Sequence, residues 1–310
     1  MKKTVLILGS GGLVGSAIKR RFETQDQYTL LTPLRDQLDL LNQTAVSSYF
    51  LKFRPQYVFL AAAKVGGIKA NDTYRADFIF QNLQIQNNVF GAAFEYQTER
   101  LLFLGSSCIY PRDCAQPIKE EFLLTGPLEK TNEPYAIAKI AGLKTAESFR
   151  RQYNRHFFTV MPTNLYGEND NFHPENSHVI PGLIRRMHEA KVHGLDRFEV
   201  WGTGAPKREF LYVDDLASAC ELLMTSDPSL TPDAINVGSG EDVTVRDLAG
   251  LIARVVGYNG EIVFNPQYPD GTPRKLLDNS KIKALGWKPT ITLESGLRKT
   301  YEYFLKKTSS

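Results

Sequence analysis

A glycine-rich turn directly after the first apolar run constrains the fold of this chain more than any other feature. The run Thr4–Leu8 leads into Gly9, Gly12 and Gly15, each three residues from the next, and an amphipathic helical pattern starts at Leu13. Glycines at this spacing let a buried strand turn tightly into a helix whose N-terminus favours the negative charge of a pyrophosphate. The sequence therefore predicts a dinucleotide site, although a turn that binds no ligand would show the same glycines. The residues expected to line this site are Gly9, Ser10, Gly11, Gly12, Leu13, Val14 and Gly15.

Short apolar runs alternate with helical patterns from the start of the chain to about residue 165. This alternation is typical of a parallel sheet covered by helices on both faces, and it predicts an α/β fold with a doubly wound, Rossmann-like sheet. The expected strands are Thr4–Leu8, Tyr28–Leu31, Tyr57–Ala62, Leu101–Leu104 and Phe157–Met161. The expected helices are Leu13–Thr24, Thr44–Lys52, Asp77–Glu95 and Tyr135–Tyr153.

The second half of the chain has a mixed pattern that predicts a smaller α/β domain for the substrate. A helix is expected over Val179–Glu189, followed by short strands at Phe198–Val200 and Ile262–Phe264. At ~150 residues per domain, a chain of 310 residues also suggests two domains. We therefore assign 1–165 to a cofactor domain and 166–310 mainly to a substrate domain. We expect the chain to return to the first domain near 210–240, through Phe210–Val213 and Ala234–Val237.

Charge and cysteine content exclude several classes of protein. Lys and Arg total 37 and Asp and Glu total 34, so the net charge of +3 is too small to indicate a nucleic-acid partner or a polybasic membrane surface. No apolar run approaches the ~18 residues that a membrane helix needs. Three cysteines, Cys108, Cys114 and Cys220, are too few for a disulfide framework and favour a reducing compartment. We expect a cytoplasmic protein without a membrane span, and we assign no metal site.

The residues after the second expected strand favour NADP over NAD. NAD sites usually place a carboxylate ~20 residues after the glycines to bind the ribose 2′-hydroxyl, but Leu31-Thr32-Pro33-Leu34-Arg35 carries none. The guanidinium of Arg35 suits a 2′-phosphate instead, with an ordinary exposed arginine as the alternative. Asp39 and Leu40 would lie beside the adenine, although an Asp on a solvated loop fits the sequence equally well.

A tyrosine and a lysine share one face of a later expected helix. Tyr135 and Lys139 stand four residues apart after Pro134, so the phenol and the ammonium lie on the same side of the helix. A neighbouring cation can lower the pKa of a phenol, which otherwise is about 10, and so allow acid/base work at neutral pH. Alone, this spacing is usually just an amphipathic helix surface. Combined with the glycine turn it predicts a catalytic pair, in which Lys139 can also hold a cofactor ribose.

Gly9-x-x-Gly12-x-x-Gly15 and Tyr135-x-x-x-Lys139 together make the chain resemble the extended short-chain dehydrogenase/reductase family. The resemblance implies a nicotinamide cofactor, oxidation or reduction of a carbinol or ketone, and a catalytic Ser or Thr at the end of the fourth strand. We assign that role to Ser106, with Ser107 as the alternative. Both serines could instead belong to a turn in which their side chains hydrogen bond to their own backbone. Further implied cofactor contacts are Ala62, Leu104, Gly105, Ser106, Lys139, Pro162, Thr163, Asn164, Leu165 and His178.

Longer strings make the chain similar to one branch of that family, the epimerase-reductases of GDP-4-keto-6-deoxy-D-mannose. The strings include Ala61–Ile68, Gly105–Pro111, Asn132–Lys139, Pro162–Gly167 and Asp270–Lys275. This resemblance implies inversion at C3 and C5, followed by hydride transfer from NADPH to the C4 ketone to give GDP-L-fucose. It also implies that Cys108 and His178 form the acid/base pair for the inversions. Taken as isolated residues, Cys108 could instead be an inert packed thiol and His178 a surface-loop histidine.

The same resemblance implies contacts with the GDP-sugar and a homodimer. The implied substrate residues are Arg186, Trp201, Arg208, Asp270 and Lys275. From the residues alone, Trp201 could instead lie in the core and Arg186 on a solvated helix face. Some relatives have a basic side chain within the glycine turn where this chain has Ser10-Gly11, so the NADP prediction depends heavily on Arg35. The helices at Asp77–Glu95 and Tyr135–Tyr153 resemble the pair that forms the dimer interface in this family.

Two other functions are weighed against this one. A sugar-nucleotide 4-epimerase or 4,6-dehydratase would consume no NADPH, but the dehydratase pattern Thr-Asp-Glu is replaced here by Ser106-Ser107-Cys108, and a 4-epimerase would not need Cys108 with His178. A redox-sensing protein could bind dinucleotide without catalysis, but it would have little use for both Tyr135 and Lys139.

Overall fold

The computed structural model describes residues 2–174, 177–268 and 270–308 and confirms the α/β fold. Six parallel strands form the main sheet in the order β2-β1-β3-β4-β5-β9. They are β1 Lys3–Leu8, β2 Tyr28–Leu31, β3 Tyr57–Leu60, β4 Arg100–Leu104, β5 His156–Pro162 and β9 Ala234–Val237. The order reverses between β1 and β3, which are neighbours in the sheet, and this arrangement opens a crevice at the carboxyl ends of the strands.

Helices cover both faces of this sheet because its strands are apolar on both sides. The helices are α1 Leu13–Glu23, α2 Gln43–Phe53, α3 Ile68–Thr73, α4 Arg75–Glu95, α5 Glu133–Tyr153 and α7 Val213–Thr225. Along β1, Val5 and Ile7 pack in the same core as residues of α1 and α7, whereas Leu6 and Leu8 pack with residues of α2 and α4. Successive side chains of a strand point to opposite faces, so one run of apolar residues supplies both cores.

A second group of elements forms two smaller sheets and the helices that pack with them. Its strands are β6 Asn164–Tyr166, β7 Arg197–Trp201, β8 Lys207–Tyr212, β10 Asp242–Thr244, β11 Glu261–Asn265 and β12 Arg274–Lys275. Its helices are α6 Val179–Val192, α8 Val245–Val256 and α10 Leu293–Thr308, whereas α9 Ser280–Ala284 packs on the core of the main sheet through Ile282. Strand β8 pairs with β6, β10 and β12, and β7 pairs with β11. A separate core that includes Ile184, Ile252 and Leu297 holds α6, α8 and α10 together.

The two stretches expected to return to the first domain do so differently, and one expected strand is shorter than predicted. The stretch at Phe210–Val213 pairs with strands of the smaller sheet, but its Leu211 and Val213 pack in the core under the main sheet, whereas β9 at Ala234–Val237 joins the main sheet itself beside β5. Strand β3 ends at Leu60, not Ala62. The chain leaves the sheet there because it passes against the glycine turn, where a Cβ on Gly9 would lie 2.7 Å from the Ala62 backbone nitrogen. The division at 165 stays a prediction.

None of the helices within the described ranges is both long and apolar enough to cross a membrane.

Candidate active site

A cavity of about 1550 Å³ lies at the carboxyl ends of the main-sheet strands and extends to the smaller sheet. Every residue that the sequence analysis assigned to cofactor, catalysis or substrate lines this cavity. The glycine turn and Arg35 contribute to it together with Ser106, Tyr135 and Trp201, although these positions are far apart in the chain. The fold therefore joins the three expected groups of residues in one continuous space.

The glycine turn has a backbone that other residues could not adopt. Gly9 has a φ of +89°, in the left-handed region that favours glycine. A Cβ on Gly15 would lie 2.1 Å from the Gly9 carbonyl oxygen, so the first turn of α1 packs directly on the strand end. Gly12 is the N-cap residue of α1, and the first turn of that helix has no acidic side chain. This cradle of bare backbone at a helix N-terminus fits a dinucleotide pyrophosphate.

The loop after β2 forms the far end of the part of the cavity that holds the glycine turn. Ser10 is buried, and its hydroxyl donates to the Thr32 carbonyl at 3.2 Å, which ties the glycine turn to this loop. Arg35 is exposed on the cavity wall, so its guanidinium can reach a phosphate there. The Asp39 carboxylate accepts from the Leu41 backbone N–H at 3.0 Å and thereby shapes the loop.

The end of β4 presents Ser106 and Cys108 to the cavity. Ser106 is extended, with φ −164° and ψ 147°, and its hydroxyl oxygen accepts from the Cys108 backbone N–H at 3.2 Å. It also hydrogen bonds with the Tyr135 side chain. Ser107 is only 4% exposed, at the start of a 3₁₀ turn over Ser107–Ile109. Of the two serines, Ser106 therefore is the one that joins the tyrosine.

Tyr135 and Lys139 lie on one face of α5, and burial shifts the pKa of both. The Lys139 Nζ lies 5.7 Å from the centre of the Tyr135 ring and donates to the Leu104 carbonyl at 2.6 Å. Burial lowers the pKa of Lys139 to about 7. The pKa of Tyr135 is raised, chiefly by burial and also by Cys108, while Ser106 opposes the rise. Desolvation is the largest of these effects, so the phenol is a proton donor at neutral pH, and the prediction that Lys139 stabilises its anion stays a prediction.

Cys108 meets a cation that is distant in sequence. The Lys275 Nζ, on β12, lies 3.7 Å from the Cys108 Sγ. His178 is the N-cap residue of α6 and its ring faces the cavity. The surrounding protein desolvates this ring and lowers the pKa of His178, so it is neutral at pH 7 and can accept a proton. The cavity therefore holds two groups suited to proton transfer, one of them beside an ammonium.

The far wall carries an aromatic platform with cations. Trp201 is 57% exposed, so its alternative as a core residue is wrong, and it stacks on Tyr268 with ring centres 4.9 Å apart. The Arg186 guanidinium lies 5.1 Å from the Trp201 ring centre and donates to the Glu199 carbonyl. Burial lowers the pKa of both Arg186 and Arg208, and their charges are available to an anion in the cavity.

At this wall the sequence pointed to Asp270 but not to Tyr268. The Asp270 carboxylate accepts from the Thr203 N–H at 3.0 Å and from its hydroxyl at 2.6 Å, which anchors the loop beside Trp201. Tyr268 was missed because it lies in an irregular loop, where no periodicity distinguishes a stacking aromatic from any other.

Within residues 2–174, 177–268 and 270–308, no group of three or more His, Cys, Asp or Glu side chains is placed to hold a metal ion.

Comparisons with known proteins agree with this geometry. Residues 5–238 match the model of the NAD dependent epimerase/dehydratase family. The chain is 55% identical over 302 residues to GDP-L-fucose synthase 1 of Arabidopsis thaliana, covering 97% of this chain and 93% of that protein. It is 53% identical over 314 residues to GDP-L-fucose synthase of Escherichia coli K12, covering 98% and 97%.

Solved structures extend the similarity to the three-dimensional fold. A GDP-L-fucose synthetase from Naegleria fowleri bound to NADP superposes with a TM-score of 0.91 at 28% identity, covering 99% of this chain and 94% of that one. A GDP-mannoheptose C4 reductase from Campylobacter jejuni with NADP bound gives 0.89 at 36% identity and 98% coverage of both chains. The chain thus belongs to the NAD dependent epimerase/dehydratase family, a group of extended short-chain dehydrogenase/reductases.

Proposed function

We propose that this chain converts GDP-4-keto-6-deoxy-D-mannose to GDP-L-fucose, by inverting C3 and C5 and then reducing the C4 ketone with NADPH. Four named GDP-L-fucose synthases share 49–55% identity with it over nearly the whole chain. The observation that carries the proposal is the placement of Ser106, Cys108, Tyr135 and His178 in one cavity with the cofactor cradle. A reductase needs the serine, the tyrosine and the cradle, whereas the thiol and the imidazole add the means to invert carbon centres.

One oxygen position serves both inversions. The protons on C3 and C5 are each α to the C4 carbonyl, so removing either one sends the C–H electron pair onto the same oxygen as an enolate. Ser106 and Tyr135 are hydrogen-bond partners on the cavity wall, and we place the oxygen beside them, where both hydroxyls can donate to it. Cys108 and His178 then form the pair that takes a proton from one face of the ring and returns one to the other.

The reduction uses the same hydroxyls. NADPH, when bound in the glycine cradle, supplies the hydride for C4. The carbonyl oxygen gains a proton in this step, and Tyr135 is suited to give it because burial raises the pKa of the phenol and keeps it protonated. Lys139, on the same helix face, can stabilise the phenolate left behind and bind the cofactor ribose.

The GDP portion of the substrate fits the wall opposite. We assign the guanine to the exposed Trp201 face, which Tyr268 backs, and the pyrophosphate to the cations Arg186 and Arg208. Asp270 and Lys275 complete the proposed substrate contacts, and the residues named above for the cofactor keep their proposed roles.

The function is tested by incubating the protein with GDP-4-keto-6-deoxy-D-mannose and NADPH in deuterated water. We expect NADPH absorbance to fall, and product NMR to show deuterium at C3 and C5 but protium at C4, because that hydrogen comes from NADPH. Constant absorbance with a protein that still binds NADPH would contradict the reductase assignment. Loss of NADPH without deuterium at either carbon would contradict the epimerase assignment.

Arg35 is proposed to select NADPH over NADH. Replacing it by alanine removes a charge-assisted contact to the 2′-phosphate, worth ~1.5–3 kcal/mol, so kcat/KM for NADPH should fall roughly 10- to 100-fold. The value for NADH should stay nearly unchanged, because NADH lacks that phosphate. Arg35→Lys is the matched control and should keep part of the preference. An equal loss with both cofactors would assign Arg35 to folding of the loop.

We also propose a cytoplasmic homodimer joined through α4 and α5. The three cysteines are free, which suits a reducing compartment. On the outer faces of the two helices Phe80 is 67% exposed and Ile137 is 42% exposed, and burying these side chains would favour association. Light scattering should give twice the monomer mass of 34.9 kDa, and Phe80→Asp should give the monomer mass. A monomeric wild type would contradict this interface.

A further inference from the structure

A buried carboxylate lies behind the active site, and none of the steps proposed above uses it. Glu209, on β8, is 0% exposed, and burial raises its pKa. One carboxylate oxygen accepts from the Gly240 N–H at 2.7 Å and the other from the Leu277 N–H at 3.0 Å. A buried carboxyl group is costly unless it is hydrogen bonded, so this residue must be explained by what it holds in place.

Glu209 connects segments that line the cavity from different sides. Its backbone carbonyl accepts from the Thr163 hydroxyl at 3.2 Å and from the Asn164 amide at 2.9 Å, both on the cofactor side. Its carboxylate reaches the opposite way, to Leu277, which follows β12 by two residues. The residue therefore couples the end of β5 to the segment that carries Lys275.

Lys275 is the one side chain of that segment whose ammonium meets the proton-transfer thiol. It pairs with Arg208 in the register of β12 with β8, next to Glu209 along the strand. Its Nζ lies 3.7 Å from the Cys108 Sγ. A cation at this distance stabilises a thiolate. Cys108 must be a thiolate before it takes a proton from the sugar ring, and it becomes a thiolate when it gives a proton to the ring.

We propose that Glu209 is a positioning residue for the inversions, and that it acts by holding the Leu277 end of the segment that places the Lys275 ammonium against the Cys108 thiol. In the proton transfer a ring C–H bond breaks, an S–H bond forms, and the electron pair moves onto the C4 oxygen. The inference rests on the proposed function, but the link from Glu209 to the thiol can be measured without substrate.

The carboxylate suits this task because it offers an acceptor on each oxygen. In Glu209→Gln one of the two backbone N–H groups would face an amide N–H₂ instead, and a buried unpaired donor would push the segments apart. A displacement of Lys275 by about an ångström would weaken its hold on the thiolate. Hydride transfer should change less, because within the described residues no hydrogen bond joins Tyr135 or Ser106 to the segment from β12 to Leu277.

The first measurement is the rate at which iodoacetamide alkylates Cys108 at pH 7 without substrate. Only the thiolate reacts, and trypsin cleavage after Arg112 places Cys108 and Cys114 on different peptides for mass spectrometry. We expect Lys275→Met and Glu209→Gln each to slow alkylation of Cys108 about tenfold, because the thiolate that reacts would lose the ammonium 3.7 Å away. The double variant should be no slower than Lys275→Met alone, since Glu209 acts through Lys275.

The second measurement compares the two half-reactions. Glu209→Gln should lower deuterium exchange at C3 and C5 about tenfold more than it lowers NADPH oxidation. Asp215→Asn is the matched control, because Asp215 is also a buried carboxylate that accepts backbone N–H groups, from Thr290 and Ile291, but it does not line the cavity. It should destabilise the protein without changing alkylation of Cys108 or the ratio of exchange to reduction.

Unchanged alkylation of Cys108 in Lys275→Met would overturn the inference. So would a Glu209→Gln variant in which Cys108 is alkylated at the normal rate while deuterium exchange and NADPH oxidation fall equally. A third contrary result would be that neither Glu209→Gln nor Glu209→Asp folds. The last would make Glu209 a folding residue only. A wild-type protein that shows no exchange at all would refute the proposed function instead, and the alkylation result would stand.

Discussion

Tyr135→Phe is expected to lower NADPH-dependent ketone reduction by ~10²–10⁴-fold, the usual contribution of a positioned general acid. The phenol is the group that hydrogen bonds with Ser106, and burial raises its pKa so that it carries the proton that the C4 oxygen needs. Phenylalanine keeps the ring, which packs edge-on against Phe78 with centres 6.2 Å apart. The loss should therefore appear in kcat, with little change in NADPH affinity.

The experiment separates chemistry from binding by measuring single-turnover hydride transfer together with NADPH fluorescence titration. Ser106→Ala is the matched control, because it removes the partner hydroxyl but leaves the proton donor, and its loss should be smaller. Deuterium exchange at C3 and C5 should fall less than reduction in Tyr135→Phe, since Ser106 still donates to the enolate oxygen. Reduction at the wild-type rate in Tyr135→Phe would remove Tyr135 from the mechanism.

Cys108→Ser should retain substrate binding but lose deuterium incorporation at C3 and C5 by at least ~10²-fold. Serine has nearly the size of cysteine, but its hydroxyl ionises far less readily, so Lys275 at 3.7 Å has no anion to stabilise. The measurement is NMR of the ring hydrogens in deuterated water without NADPH, with substrate affinity checked by calorimetry.

Cys114→Ser is the matched control for this variant. Cys114 is also a half-buried free thiol near Lys275, and burial raises its pKa, but no step uses it. It should exchange at the wild-type rate. Normal exchange in Cys108→Ser would show that another group transfers the ring protons, and His178 would then be the remaining candidate.

Local patterns predicted the elements and several of the site residues. The helix at Asp77–Glu95 begins two residues earlier, at Arg75, and the helix at Val179–Glu189 continues to Val192. The glycines at 9, 12 and 15 were recognisable because the demand for a tight turn lies within one short stretch. The proposed acid/base roles of Cys108 and His178 came from the resemblance, because a single thiol or imidazole has no spacing that distinguishes it from a packing or surface residue.

Local sequence patterns were enough to predict the alternation of strands and helices, the glycine cradle and the shared helix face of Tyr135 and Lys139. Each depends on neighbours within a few residues, where backbone geometry sets the spacing. Three other features follow from how distant segments pack: Lys275 contacts Cys108 across 167 residues of chain, Trp201 is exposed and stacks on Tyr268, and β8 belongs to the smaller sheet. The raised pKa of Tyr135 belongs to the same group. These properties depend on burial and on contacts between distant segments, which no local period in a sequence encodes.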